Sequence, residues 1–281
     1  MLENMSKKRW LTLLAVCIAV TIVRVMLQPL IPEGENPMFT TYSAIYNAGL
    51  LVPAFVVFAF VVSLLLGIVF VLIEGRLPGT RLAKGVAFGM AYGLMWAVYL
   101  LEPLTKVLEG SFFVLYGYPI VDGLTFGMLG LLLGVFVGTD SKGPAKRRIG
   151  SETLALLAIP VAFVVIRLCC YAFSIIGSAF DIRPADTMLW AAGTGLWLGV
   201  MYFLLRPGVP GKSPLAKALF FGPVVIGINL FFFNSFVPLV FEVDYADLIL
   251  RTLVDIVSVT IGVYVCEKIG SVIGSRSQAD R

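Results

Sequence analysis

Five charged residues lie inside long apolar runs of the chain: Arg24, Arg167, Arg251, Asp122 and Asp255. A charged side chain in a bilayer core costs about 2.5–3.5 kcal/mol on insertion scales, so such residues usually have a partner or a function. We expect ion pairs between Arg24 and Asp122 and between Arg167 and Asp255. Arg251 lies one helical turn from Asp255 and shares its helix face. Paired charges of this kind bind a polar solute, supply an acid or base, or simply fix the register of packed helices.

Three more polar residues fall at the same predicted depth. Glu102 ends one apolar run, and Asn229 and Asn234 lie in the outer half of another. Together with the five charged residues they form a candidate substrate-binding site in the extracytoplasmic half of the membrane. The alternative is that the charges are purely structural and that Glu102 is an interfacial residue.

The residue types that are missing exclude much familiar chemistry. The chain has no histidine, which removes the common zinc ligand sets and the Ser-His-Asp and Cys-His catalytic systems. No phosphate-binding loop or dinucleotide fingerprint is present. Cysteines occur only in or beside apolar runs, which is typical of small core residues; they are Cys17, Cys169, Cys170 and Cys266. We therefore expect no metal, cofactor or nucleic-acid partner, and enzymatic activity is the least favoured function.

Composition identifies the elements that must position these residues. Hydrophobic residues make up 59% of the chain, charged residues 14%, and the mean hydropathy is +0.96, whereas an ordinary soluble domain has about 25% charged residues. Several apolar runs are long enough to cross a bilayer. We predict an all-α integral membrane protein with eight transmembrane helices: Trp10–Leu27, Leu50–Ile73, Leu82–Leu101, Pro119–Gly138, Thr153–Ser174, Met188–Leu205, Ala216–Leu239 and Ala246–Ile269.

Basic residues predict the orientation of these spans. Of the 21 Lys and Arg residues, clusters fall at both termini and in the segments 76–84, 142–148 and 206–217. Only Lys106 and Arg183 fall on the opposite side, and the remaining three are the intramembrane arginines. Because basic loops remain in the cytoplasm, both termini are predicted to be cytoplasmic. We predict that the protein lies in the cell membrane, which is the inner membrane in a cell that has two.

The chain also contains signs of an internal duplication. Leu-Ala-Lys triplets at 82–84 and 215–217 are 133 positions apart, and the two intramembrane aspartates match at the same offset. The arginines of the two predicted ion pairs match at an offset of 143. We predict two four-helix repeats, residues 1–150 and 151–281, which have the same orientation because each contains an even number of spans. Parallel repeats of this kind occur in some transporters.

Glycines follow a helical period in two predicted spans. Gly85, Gly89 and Gly93 form one stripe, and a second stripe is formed by Gly123, Gly127, Gly130, Gly134 and Gly138. Such stripes let helix backbones approach closely and usually serve packing.

Three functions remain open. The first is a transporter or permease that moves a small polar or amphipathic solute between the repeats, within the lipid bilayer. The second is a non-catalytic membrane subunit that binds or regulates a protein partner. The third is a lipid-modifying enzyme that uses Asp122 or Asp255 as an acid or base.

Overall fold

The computed structural model describes residues 5–32, 41–103, 111–140 and 155–279, with side chains described as far as residue 272. These residues form α-helices and no β-strand; an isolated bridge pairs Tyr42 with Phe241. The helices are α1 (Lys7–Leu27), α2 (Ala44–Asn47), α3 (Leu51–Glu74), α4 (Arg81–Tyr99), α5 (Phe112–Phe136), α6 (Ala158–Ala172), α7 (Pro184–Leu205), α8 (Pro214–Phe220), α9 (Ile228–Val240) and α10 (Tyr245–Ala279).

Seven helical segments of the described chain are long and apolar enough to cross a membrane. They coincide with seven of the eight predicted spans, and their outward faces carry large exposed apolar side chains such as Met26, Phe113 and Leu189. A water-soluble protein does not expose so much apolar helix surface. The chain is therefore a multi-pass membrane protein whose apolar helices contact lipid.

The eighth predicted span forms helix α4, which is not among the seven segments. Arg81 and Lys84 occupy its first turn, and three glycines reduce its apolar content. Phe88, Tyr92 and Trp96 of this helix are buried among the other helices. Helix α4 is therefore a central element of the bundle despite its lower hydropathy.

Helix ends differ from the predicted ends at two spans. Helix α5 begins at Phe112, so Pro119 is inside the helix and does not begin it; membrane helices tolerate an internal proline because their neighbours satisfy the freed backbone groups. Helix α10 continues to Ala279 instead of ending near Ile269. Glu267, inside this helix, pairs with Lys217 and Arg206.

The seventh span is a single segment, Pro214–Val240, with a change of helix type in its middle. Helices α8 and α9 are joined by seven residues of π-helix, Phe221–Gly227, which include Pro223. Proline removes a backbone donor and favours such a local change in hydrogen bonding. The segment lies in the centre of the bundle, where Phe221 and Val225 are fully buried.

Helices α4 and α5 make the closest helix contact of the fold, because glycines face each other along it. A Cβ atom built on Gly89 would lie 2.6 Å from the carbonyl oxygen of Gly127, and one built on Gly93 would lie 2.5 Å from that of Gly123. No larger residue fits at Gly89 or Gly93 without moving a backbone. The predicted glycine stripes are thus a packing surface.

The helices associate in two groups. Helices α1 to α5 form the first helix group, in which α1 packs on α3 and α5, and α4 on α5. Helices α6 to α10 form the second helix group, in which α6 packs on α7 and α10, and α8 and α9 pack on α10. The groups meet where α4 contacts α7 and where α3 contacts α9, and we call these contacts the inter-group surface.

Some predictions fall outside the described residues. They include Lys106, the basic segment 142–148, and the predicted start of the fifth span at Thr153.

Candidate functional site

Arg24 and Asp122 form one of the two predicted ion pairs. The Nε of Arg24 donates to Asp122 Oδ1 at 2.8 Å, and Nη2 donates to Oδ2 at 2.9 Å. Arg24 is in the last turn of α1, and Asp122 is ten residues from the start of α5. Their exposed fractions are 1% and 3%. Two parallel hydrogen bonds from a guanidinium to a carboxylate are the strong, geometrically specific form of this contact.

Aromatic rings surround the Arg24 guanidinium. Its Cζ lies 4.9 Å from the ring centre of Trp96 and 5.2 Å from those of Phe55 and Phe126. Such contacts stabilise a cation where water is absent. The indole Nε1 of Trp96 donates to Asn229 Oδ1 at 2.7 Å. Asn229, a predicted site residue, is therefore linked to Arg24 through Trp96.

Arg167 and Asp255 form the second predicted pair, with more partners. Arg167 Nη1 donates to Asp255 Oδ1 at 2.6 Å and Nε donates to the Tyr171 hydroxyl at 2.7 Å. The Tyr99 hydroxyl of the first helix group donates to Asp255 Oδ2 at 3.3 Å. Trp190 provides a ring 4.8 Å from the Arg167 Cζ. Arg167 and Asp255 are both fully buried.

Glu102 joins the two helix groups. Its Oε1 accepts from Arg167 Nη2 at 2.7 Å and from Arg251 Nη1 at 2.6 Å. We call Glu102, Arg167 and Arg251 the Glu102 bridge. In the described part of the chain, these two ion pairs are the only ones that connect the groups. Arg251 also donates to Asp247 Oδ2 at 2.9 Å.

The predicted site residues therefore separate into three sets. Arg167, Asp255, Glu102 and Arg251 form one network, and Arg24 and Asp122 form a pair to which Asn229 is linked. Asn234 lies apart from both, because its amide donates to Thr252 Oγ1 at 2.7 Å. Arg251 joins the network through its ion pair with Glu102, although it lies one turn from Asp255 on α10.

Two further ion clusters, which were not predicted from the sequence, lie at the opposite end of the bundle. Glu74, at the end of α3, pairs with Arg9 and with the fully buried Lys84. Glu267 pairs with Lys217 at 2.6 Å and with Arg206. Both glutamates end long apolar runs beside basic loops, and this was the available signal for a buried partner.

The clusters define two ends of the bundle, which we call the Glu102 end and the Glu74 end. Lys84 is in the first turn of α4 and Glu102 follows its last turn, so they are about 27 Å apart along the helix at 1.5 Å per residue. Gly208, which follows Arg206, packs against Ile73 and Leu77. The Glu267 cluster is therefore at the Glu74 end too.

Two surface grooves lie beside the first helix group, and neither is lined by a charged residue of the described chain. One, of about 680 Å³, runs between α4 and α5 and includes Gly89 and Gly127. The other, of about 190 Å³, lies between the end of α1 and the start of α5 and includes Leu27 and Val121. The buried charges are thus paired with one another in this conformation, and neither groove exposes them.

The arrangement has a clear chemical consequence. Asp122 and Asp255 each have both carboxylate oxygens bonded to an arginine and are almost completely buried. Access to these carboxylates from outside the bundle therefore requires the helices to separate. Comparison of the chain with protein-family models, with curated proteins and with solved structures gives no match.

Proposed function

We propose that the protein is a membrane transporter or permease for a small polar or amphipathic solute, in which two four-helix units move against each other. The units are residues 1–150 and 151–281, they have the same orientation, and together they supply eight spans. The protein lies in the cell membrane, and both of its termini are in the cytoplasm. The Glu102 end is then extracytoplasmic, because Lys84, Lys217 and Arg206 are at the other end.

Contacts between the helix groups support the duplication. The groups exchange equivalent contacts: α4 of the first packs on α7 of the second, and α9 of the second packs on α3 of the first. The hydroxyl of Tyr92 donates to the carbonyl of Val225, and the indole of Trp96 donates to Asn229. In each of these two hydrogen bonds, donor and acceptor residues are 133 positions apart in the chain. Equivalent residues meet in this way when two copies are related by a two-fold axis between them.

The position of α4 supports an eighth span. Its 19 residues extend about 28 Å at 1.5 Å per residue, close to the thickness of a bilayer core of about 30 Å. Its basic Lys84 is neutralised by Glu74. Contact with α5 and α7 covers much of its surface, so it needs less apolar surface than a helix surrounded by lipid.

The observation that carries the proposal is the distribution of ion pairs between the two ends. At the Glu74 end, each helix group completes its own cluster: Glu74 pairs within the first group and Glu267 within the second. At the Glu102 end, the Glu102 bridge connects the groups. Among the described residues, the groups therefore separate at the Glu74 end without breaking an ion pair, whereas opening at the Glu102 end requires the bridge to break. This asymmetry favours an extracytoplasmic gate.

The π-helical segment supports movement at the inter-group surface. Local π-helix inside an α-helix is frequent at functional sites, and this one supplies the Val225 carbonyl that contacts Tyr92. Glycines flank Pro223 at positions 222 and 227. The segment is a suitable hinge for bending of the seventh span.

Thiol accessibility tests the proposal. Val225→Cys, in a protein without the four native cysteines, places a thiol at a fully buried position of the π-helical segment and retains the carbonyl that accepts from Tyr92 of the other helix group. Because a minor conformation is typically populated at about 0.1–10%, we expect slow modification by a membrane-impermeant thiol reagent applied to vesicles. The matched control retains only Cys17, which is fully buried inside the first helix group and should not react. Equal protection of both thiols on both faces of the membrane would contradict movement of the groups.

The second candidate, a membrane subunit that binds a protein partner, is favoured by the open apolar groove between α4 and α5. It predicts equal protection of the two thiols and stable co-purification of another membrane protein. The geometry supports the lipid-modifying enzyme least, because Asp122 and Asp255 are both held by arginines.

A further inference from the structure

Two buried polar atoms near the end of α1 have no hydrogen-bond partner in the described chain. They are Nη1 of Arg24 and Oε1 of Gln28. The two residues are four positions apart, so they share one face at the end of the helix. Polar groups buried in this way are nearly always satisfied by protein, water or ligand. One atom is a donor and the other an acceptor, so a single group with both capacities satisfies them together.

The equivalent positions of the second helix group are occupied differently. Tyr171 follows Arg167 by four residues, as Gln28 follows Arg24, and its hydroxyl accepts from Arg167 Nε at 2.7 Å. Each nitrogen of the Arg167 guanidinium makes a hydrogen bond. The protein therefore completes the arginine's contacts in the second group and leaves one nitrogen uncommitted in the first.

A groove of about 190 Å³ lies beside the end of α1. Leu27, which is next to Gln28 in the chain, and Ile31 line it, whereas Arg24 and Gln28 lie behind this lining. Across the groove, Val121 precedes Asp122. Its lining is apolar, which suits a short hydrocarbon chain.

Charge balance determines the class of ligand. The ion pair with Asp122 already neutralises the charge of Arg24. In the second group a further carboxylate, Glu102, is accommodated because Arg251 also pairs with it. The position that matches Arg251 at an offset of 133 is Tyr118, which brings no cation. Among the described residues, an anionic ligand at Arg24 would thus lack the second cation that Arg251 provides for Glu102.

We propose that Arg24 and Gln28 bind the polar end of a neutral amphipathic molecule, an amide or an alcohol, whose apolar chain occupies the groove between α1 and α5. This names the solute class of the transporter proposed above and in that respect rests on it. Binding itself is measurable without transport.

Photo-crosslinking tests the site. The protein in phosphatidylcholine nanodiscs is irradiated with a medium-chain primary amide that carries a terminal diazirine, and labelled peptides are located by mass spectrometry. We expect labels on the groove segments 27–32 and 113–121, suppressed by octanamide and about tenfold less effectively by octanoate. Labelling spread over the lipid-facing helices, or equal suppression by octanoate, would overturn the proposal.

Two substitutions at Gln28 sharpen the test. Gln28→Leu removes the acceptor, and Gln28→Tyr copies Tyr171 and offers Arg24 a partner within the protein. Each should reduce groove labelling by about tenfold while the thermal midpoint stays at or above that of the parent. The control Asn47→Leu removes an exposed amide that donates to the Tyr42 carbonyl and should retain the labelling. Parent-like labelling of both Gln28 variants would overturn the site.

The two proposals fail separately. Groove labelling with a protected Val225→Cys thiol retains the binding site and rejects transport. A reactive Val225→Cys thiol without groove labelling retains transport and rejects this site.

Discussion

Asp122→Asn is expected to destabilise the protein by about 3–5 kcal/mol, the cost of leaving one partner of a buried ion pair uncompensated. Asp255→Asn should cost clearly less, although both aspartates are buried and bonded to an arginine through both oxygens. Without Asp122, Arg24 loses the carboxylate that pairs with it. Without Asp255, Arg167 retains Glu102 and the Tyr171 hydroxyl. Thermal unfolding in a mild detergent measures both changes.

The charge of each cluster explains the order. Arg24 and Asp122 are balanced, so Asp122→Asn leaves an excess positive charge. Arg167 and Arg251 pair with three carboxylates when Asp247 is counted with Glu102 and Asp255, so Asp255→Asn removes an excess negative charge. Combining Asp122→Asn with Arg24→Gln should restore most of the stability. If Asp255→Asn were the more damaging change, the paired charges would not determine these stabilities.

Gly89→Ala is expected to cost about 1–3 kcal/mol, the range for added atoms in a well-packed interior. The new methyl group would lie 2.6 Å from the Gly127 carbonyl oxygen and 3.2 Å from the Gly127 Cα. Both are backbone atoms, so α4 and α5 must separate. The loss should be visible as a lower thermal midpoint in detergent and a lower yield of folded protein.

Gly127→Ala is the matched control. This glycine belongs to the same helix contact, but a Cβ atom built on it has no other atom within 4 Å, because it faces the open groove between α4 and α5. Its stability should equal or exceed that of the parent, since alanine favours the helix more than glycine does. Equal losses at both positions would show that the glycines act through something other than close approach.

The ion pairs were predictable because the sequence repeats them. Arg24 and Asp122 recur as Arg167 and Asp255 with similar spacing, and isolated charges in apolar runs need partners. The predicted pairing is confirmed by the geometry; a role in solute binding stays a prediction. The partner of Arg251 was less predictable. Helix periodicity places Arg251 beside Asp255, but it does not show that Arg251 pairs with Glu102, which follows a different helix.

The clusters at the Glu74 end illustrate a different limit. Glu74 and Glu267 are next to basic loops, where a glutamate is ordinarily solvated, so their position at the end of an apolar run did not by itself predict burial. Burial depends on tertiary contact: Thr139 donates its backbone N–H to Glu74, and the Tyr202 hydroxyl donates to Glu267. Likewise, the π-helix at Phe221–Gly227 depends on tertiary packing, which the helical periodicity of a sequence does not show.

Helix positions were more accessible than helix ends. Long apolar runs predicted the seven apolar segments, since bilayer thickness sets their length. The ends of α5 and α10 were less predictable, because Pro119 lies inside α5 and α10 continues past Ile269 to Ala279. Hydropathy also understates α4, whose glycines and basic residues are accommodated by neighbouring helices.

The most direct test is whether the inter-group surface opens when the Glu102 bridge is broken. The measurement is the rate at which an impermeant thiol reagent, applied from the extracytoplasmic face, modifies Val225→Cys in proteins that carry Glu102→Gln or Asp247→Asn. Both changes remove one carboxylate from the same network, but Asp247 pairs with Arg251 inside the second helix group. If the bridge contributes about 1.4 kcal/mol to closure, Glu102→Gln should raise the rate about tenfold and Asp247→Asn should leave it near that of the parent. Unchanged rates in both proteins, or equal increases, would contradict the account.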